Sequence, residues 1–196
     1  MTVAAQKRMT LQEYLKYDDG TDTRYELVDG VLVQMGAEST INTLIAVFLI
    51  DIFRSIGIPL VQIGIKQKIQ VKSRYASARD PDFILHTEES FAAIEGLSEA
   101  CLKLNDSNPM LVAEVVSPGP ESSENYQRDY EQKPIEYADR GIPEYWIIDP
   151  DRSLIRVGTL VDDVYQFTEF SGEQLLISPS FISLDLNAAQ VLNAGL

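Results

Sequence analysis

Glu114 stands in the run Leu111-Val112-Ala113-Glu114-Val115-Val116, an apolar segment in which an ionised carboxylate is costly to bury unless something pairs with it. Either it lies on the solvated face of an edge strand, or it has a partner and a task. A second acid, Asp82, follows Pro81 and opens the apolar run Phe83-Ile84-Leu85, at the mouth of an expected strand. Two carboxylates at the ends of adjacent strands can share a hard cation such as Mg2+, which takes oxygen ligands and keeps several waters. Asp129, Lys133 and Tyr137 recur at intervals of four, which places them on one face of a helix. Taken alone, that spacing describes a surface ion pair worth only ~0.3–0.5 kcal/mol, and an aromatic residue at such a position is usually core.

The elements that must position these residues follow from local patterns. Thr10 and Glu13 have capping-box spacing, so a short helix is expected over 10–17. Asp29-Gly30, flanked by the apolar-rich segments 24–28 and 31–35, predicts a two-residue hairpin, because both positions tolerate positive φ. Ser39 can cap a helix whose residues Ile41, Leu44, Ile45, Phe48, Leu49 and Ile52 recur at helical spacing, with Gly57 and Pro59 as its stop. Alternation over 60–71 reads as one half-solvated strand, and 73–80 as a turn or hairpin tip. The runs 83–85, 110–116 and 145–148 read as central strands, with a helical pattern over 125–140 making a strand, helix, strand crossover. A β-meander over 154–177 and a closing helix over 187–192 complete the expected set.

A chain of 196 residues with 45% hydrophobic content suits one domain with one sizeable core, and residues 1–9 are expected to fray ahead of the first helix. The apolar stretch 41–53 is interrupted by Asn42, Thr43 and Asp51, so it reads as a core helix, and no membrane span is expected. One cysteine, Cys101, excludes an internal disulfide framework and suits a cytoplasmic location as a spare thiol. Thirty acidic against sixteen basic residues give a charge of −14, which argues against a general polyanion-binding surface. A bound divalent ion would overcome this locally, since it brings positive charge to the phosphate while carboxylates hold it.

Four stretches occur in order: Arg24 to Gly30 (RYELVDG), Ser77 to Asp82 (SARDPD), Val112 to Pro118 (VAEVVSP) and Arg128 to Asp149, the last containing RDYEQK followed by EYADRGIPEYWIID. Together they resemble the putative restriction endonuclease family of bacterial proteins, a branch of the PD-(D/E)xK nuclease superfamily. The resemblance implies an α/β (α+β) fold with a restriction-endonuclease-like core, a mixed central β-sheet flanked by helices. It implies Mg2+ (or Mn2+) as cofactor and DNA as substrate. By the same resemblance Asp82 and Glu114 would bind the ion, with the carbonyl of Val115 a further ligand, and Lys133 would orient the attacking water or stabilise charge. Glu26, on the hairpin, would stand behind these as an additional acid, although a residue of an alternating strand is more often exposed.

Two departures from the superfamily pattern matter. The lysine that normally follows the glutamate by two residues is replaced by Val116, so Lys133 would be a lysine moved to the following helix. Pro134 directly follows it, and proline disfavours the α region for the preceding residue and costs ~3 kcal/mol in a helix interior. The helix is therefore expected to kink at Lys133 or to restart with Pro134 in its first turn. Lys66, Lys68, Lys72, Arg74 and Arg79 lie close enough in sequence to form a basic strip that would contact DNA, although a solvated strand face is the commoner meaning of such alternation. Three readings follow: a metal-dependent endodeoxyribonuclease, a nuclease-fold module that binds or assembles without catalysis, and a hydrolase of smaller phosphate esters. A two-fold homodimer would suit cutting of both strands.

Overall fold

A computed structural model describes residues 8–36 and 39–194. The expected fraying of the N-terminus falls mostly on residues 1–7, outside the described residues. Arg8 and Met9 are tied down: the Arg8 guanidinium donates to Asp29, and the Met9 N–H donates to the Gly30 carbonyl at 2.8 Å. Thr10 and Glu13 close the capping box of α1 (Leu11–Leu15). The hairpin β1 (Tyr25–Val28) and β2 (Val31–Gln34) turns at Asp29 and Gly30, with φ of 49° and 82°, so both turn positions take the left-handed backbone that this residue pair tolerates. Ser39 caps α2 (Thr40–Ser55), its Oγ accepting from the Asn42 N–H.

The alternating segment 60–71 divides where one strand is expected. A 3-10 turn over Leu60–Gln62 leads into β3 (Ile63–Gly64), and β4 (Lys68–Val71) follows in a different sheet. Lys66, at φ 54°, breaks the extended backbone between them, leaving Val61 and Ile65 exposed rather than buried. Part of the expected turn 73–80 is instead the strand β5 (Ser77–Arg79), buried throughout and paired on both sides. β6 (Phe83–Leu85), α3 (Glu88–Ala92), β7 (Cys101–Leu102) and β8 (Leu111–Val115) come next. The crossover helix is in three pieces: α4 (Glu124–Gln127), a π-helical turn over Arg128–Gln132, and α5 (Lys133–Arg140). β9 (Glu144–Asp149), β10 (Leu154–Val161), β11 (Val164–Phe170) and α6 (Ala188–Leu192) close the chain; past β11 the expected meander continues only as a bridge from Leu175 to Asn187.

The strands form two mixed sheets flanked by helices, in the orders β2-β1-β5-β4-β7 and β11-β10-β9-β8-β6-β3. β8 and β9 run parallel around the helical crossover, at the centre of the larger sheet. Its faces are covered by different helices. Phe83, Leu85, Leu111, Ala113 and Val115 pack with Ile45, Leu49 and Phe53 of α2. Ile84, Val112, Tyr145 and Ile147, of opposite parity, pack with Tyr137 and Ala138 of α5. Cys101 is buried, which pushes its thiol up to about 11 and makes it inert at neutral pH. Among the described residues no helix is long and apolar enough to cross a membrane.

His86 is fully buried, its Nε2 donating to Gln67 Oε1 at 2.7 Å and its Nδ1 accepting from Ser90 Oγ at 3.0 Å. A Cβ at Gly64 would lie 2.0 Å from Gln67 Oε1, so a side chain there would push the Gln67 amide off His86. Burial lowers the ring from 6.5 to about 4, so on acidification the unfolded chain takes the proton first. The stability contributed by the neutral ring is complete above about pH 6.5 and is lost as the pH falls toward 4, by ~3 kcal/mol. His86→Gln should therefore lose ~3 kcal/mol less than the parent between these pH values in denaturant titrations. Equal losses would show that the ring protonates in place.

Candidate active site

β8 lies between β6 and β9 and is buried at all five positions, so Glu114, 2% exposed, has no solvated face to occupy. Its parity is that of Val112, which directs it to the side covered by α5. Asp82 has the parity of Ile84, on that same side. The antiparallel register of β6 and β8, Phe83 to Ala113 and Ile84 to Val112, brings Asp82 opposite Glu114 when continued by one residue. The Val115 N–H holds Asp82 there, donating to Oδ2 at 2.8 Å. Asp80-Pro81-Asp82 is also the link through which the chain leaves the smaller sheet at β5 and enters the larger at β6. Glu26 arrives from the smaller sheet, on β1 beside β5.

Lys133 reaches this point because the helix restarts there, the second of the two options left open by Pro134. The π turn widens the helix, which restarts at Lys133 with Pro134 in its first turn, where a missing N–H costs nothing. Lys133 keeps helical φ and ψ of −59° and −38°. Its ammonium, 3% exposed as a residue, lies 2.8 Å from Asp129 Oδ1, 2.9 Å from Glu114 Oε2 and 3.6 Å from Glu26 Oε1. The Tyr137 hydroxyl donates to Glu114 Oε1 at 2.8 Å. Asp129, Lys133 and Tyr137 do share a face, but it is turned inward to the glutamate and not to solvent.

Burial raises the Glu114 carboxyl to about 8 against the pull of Lys133, with Asp129, Asp82 and Glu26 adding to the rise. Burial also works against charge on Glu26, yet Lys133, Arg79 and Arg128 hold it down to about 2. Burial opposes the Lys133 charge as well, and Asp129, Glu114 and Glu26 outweigh it, raising its pKa well above the ordinary value. Glu26, Asp82, Glu114 and Asp129 thus face Lys133, Arg24 and Arg128 around one small cleft.

The donor atoms fit a hard cation. Asp82, Glu114 and the Val115 carbonyl offer only oxygen, and the Asn42 side chain orients the carbonyl by donating to it at 3.0 Å. The cleft they line has a volume of about 40 Å3, enough for an ion with a few waters, since ~10–15 Å3 holds one water. Among the described residues no group of three or more His, Cys, Asp or Glu is arranged to hold a metal. A two-carboxylate site suits Mg2+, which binds through one or two carboxylates and keeps water for the rest of its shell.

The expected basic strip is broken up: of its five residues only Lys66 and Lys68 line a common cleft, next to this one. Arg79 is fully buried and serves the acids: it donates to Glu26 at 2.9 Å and to both oxygens of Glu136 at 2.6 and 2.7 Å. A guanidinium so enclosed cannot touch a phosphate. Lys72 donates to the Asp139 carbonyl and Arg74 lies over Tyr75, while Lys66 and Lys68 line a separate cleft beside Asp18 and Glu99. The cations that line the Glu114 cleft with Lys133 are Arg24 and Arg128. Neither they nor Asn42 stood out in the sequence, although Arg24 and Arg128 open the first and last of the four family-like stretches.

Comparison with known proteins identifies the family and the fold. Residues 11–189 match the family Uma2, described as "Putative restriction endonuclease". No curated protein matches. Among solved structures, the chain is similar to a putative nuclease belonging to DUF820 from Anabaena variabilis ATCC 29413, at 19% identity and a TM-score of 0.71 over 96% of this chain and 99% of that one. At that identity the likeness establishes the fold.

Proposed function

The chain belongs to the Uma2 family of putative restriction endonucleases, and from that membership we propose that it is an endonuclease that uses Mg2+ (or Mn2+) to hydrolyse DNA phosphodiester bonds. The observation that carries this reading is the Lys133 ammonium seated 2.9 Å from Glu114 inside a buried, acid-rich cleft. Asp82, Glu114 and the Val115 carbonyl would hold the ion. Bound there, it would supply a water acidified toward neutral pH and a charge to offset that growing on the phosphate.

The chain's own groups do the remaining work. Tyr137 fixes one oxygen of Glu114, so the carboxylate presents a set orientation. Asp129 and Glu26 keep Lys133 charged, and Arg79 keeps Glu26 in place. A charged Lys133 Nζ can then donate to the attacking water or to a phosphate oxygen, stabilising charge as it develops in a site largely closed to solvent. Arg24 and Arg128 give the substrate phosphates cationic contacts that an overall charge of −14 does not.

A second reading, a nuclease-fold module without catalysis, is favoured by one feature: the ammonium and both Glu114 oxygens are already engaged by protein groups. The test is incubation of supercoiled plasmid and oligonucleotide DNA with the purified chain in Mg2+ or Mn2+, against EDTA. The expected result is nicked or cut DNA that EDTA prevents. Failure to hydrolyse any nucleic acid with either ion would leave the non-catalytic reading in its place.

A further inference from the structure

A second cleft of about 290 Å3 adjoins the acidic one and shares Arg24 with it. We propose that it receives one unpaired nucleobase next to the scissile phosphate, so that the substrate is single-stranded DNA or a duplex with an extruded base. This rests on the nuclease reading of the neighbouring site.

The lining chemistry suits a flat ring bearing hydrogen-bond donors. Tyr17, 42% exposed, meets Tyr25 edge to face at 5.7 Å between ring centroids and offers an aromatic surface at the cleft. Tyr25 is held by its own bond to Asp19 at 2.9 Å, and buried Tyr14 braces it by donating to the Tyr25 carbonyl at 2.6 Å. Tyr25 so held gives Tyr17 a fixed surface to pack against when a base stacks on it. Asp80 is 5% exposed and lines the cleft; its Oδ2 is bound by Arg24 at 2.7 Å, while its Oδ1 is buried without a hydrogen-bond partner among the described residues. Carboxylates along the cleft call for donors, and the Watson–Crick ring N–H of a guanine or thymine is a donor that only an unpaired base exposes. Glu99, beside Lys68 at 3.6 Å, adds a second acceptor at the rim.

Charge argues for a base over a phosphate here. Asp18, Asp19, Asp80 and Glu99 outnumber the cations Arg24, Lys66 and Lys68, so a phosphate would meet net repulsion whereas a neutral ring would not. The volume stands near the lower end of small-ligand sites, ~300 Å3, too small for several stacked nucleotides. Arg24, lying between the clefts, is placed to hold the phosphate that joins the base to the scissile bond. A paired duplex has no base to offer, which makes the cleft a filter for substrate form.

The test measures binding of a 2-aminopurine-labelled single-stranded oligonucleotide and of the same strand in full duplex, in Ca2+, with hydrolysis of both followed in Mg2+. The single strand should bind at least about 10-fold more tightly and change its 2-aminopurine fluorescence. Tyr17→Ala should weaken single-strand binding by ~5- to 100-fold at an unchanged unfolding temperature, and Tyr17→Phe, which keeps the ring, should restore it. Equal affinity for both forms, with no response to Tyr17→Ala while Mg2+-dependent cleavage persists, would overturn the base cleft and leave the nuclease reading standing. Absence of both binding and cleavage would remove the two together.

Discussion

Lys133→Met is expected to destabilise the protein by ~3–5 kcal/mol, because it removes one partner from a buried ion-pair cluster and leaves the others uncompensated. The methionine fills the volume of the lysine stem, so packing loss contributes little and the effect reports charge. Glu114, Asp129 and Glu26 surround the ammonium within 2.9, 2.8 and 3.6 Å. Without it, Glu114, already raised to about 8 by burial and its acidic neighbours, rises further. A buried carboxyl whose folded pKa lies above its unfolded value destabilises the fold as the pH rises, so the variant should regain part of its deficit on going from pH 8 to pH 6. In a domain of this size the loss corresponds to ~6–20 °C in unfolding temperature. Denaturant titrations of variant and parent at both pH values give the measurement. A variant as stable as the parent at both would mean that the ammonium does not hold the acids together.

Glu114→Gln separates catalysis from architecture at the same place. Glutamine preserves the shape and still meets the Tyr137 hydroxyl and the Lys133 ammonium, while Asp129 and Glu26 continue to compensate the lysine. Relief of the buried carboxylate offsets the weaker contact with Lys133, so stability should change by no more than ~1 kcal/mol. Metal-dependent cleavage should fall at least on the order of 100-fold, since the substitution removes an anionic ligand, and even changes behind the ligands cost 10- to 100-fold in affinity or activity. Together, unchanged unfolding and lost cleavage place the glutamate in the chemistry. Unchanged cleavage would remove the assignment of Asp82 and Glu114 as the ion's holders.

Local rules made much of the frame readable. Asp29-Gly30 specifies its turn because only a few residue types accept positive φ at two successive positions. Thr10 with Glu13, and Ser39 before an apolar period, specify helix starts because their oxygens satisfy N–H groups that a helix leaves open. The apolar runs around Ile84, Val112 and Ile147 specify central strands because both faces of the larger sheet are covered. Where a strand's identity depended on distant partners, the same rules failed. β5 carries Arg79 into full burial, which only Glu26 and Glu136, 53 and 57 residues away, make tolerable. Lys66 interrupts an even alternation with a left-handed residue that no local signal marks.

By itself, then, the sequence determined which residue types could meet: an acid inside an apolar strand, an acid at the mouth of the next, and a lysine in phase with Asp129 and Tyr137. It also determined that Val116 leaves the usual lysine position to the core, where it is 2% exposed. Only the tertiary structure decided which way these groups face. The parity of β6 and β8 turns Asp82 and Glu114 toward α5, the π turn delivers Lys133 to them despite Pro134, and the passage between the sheets brings in Glu26. The reason is electrostatic: whether a carboxylate and an ammonium at such spacing form a weak surface pair or a buried cluster depends on what removes water from them, and that covering comes from chain segments remote in sequence.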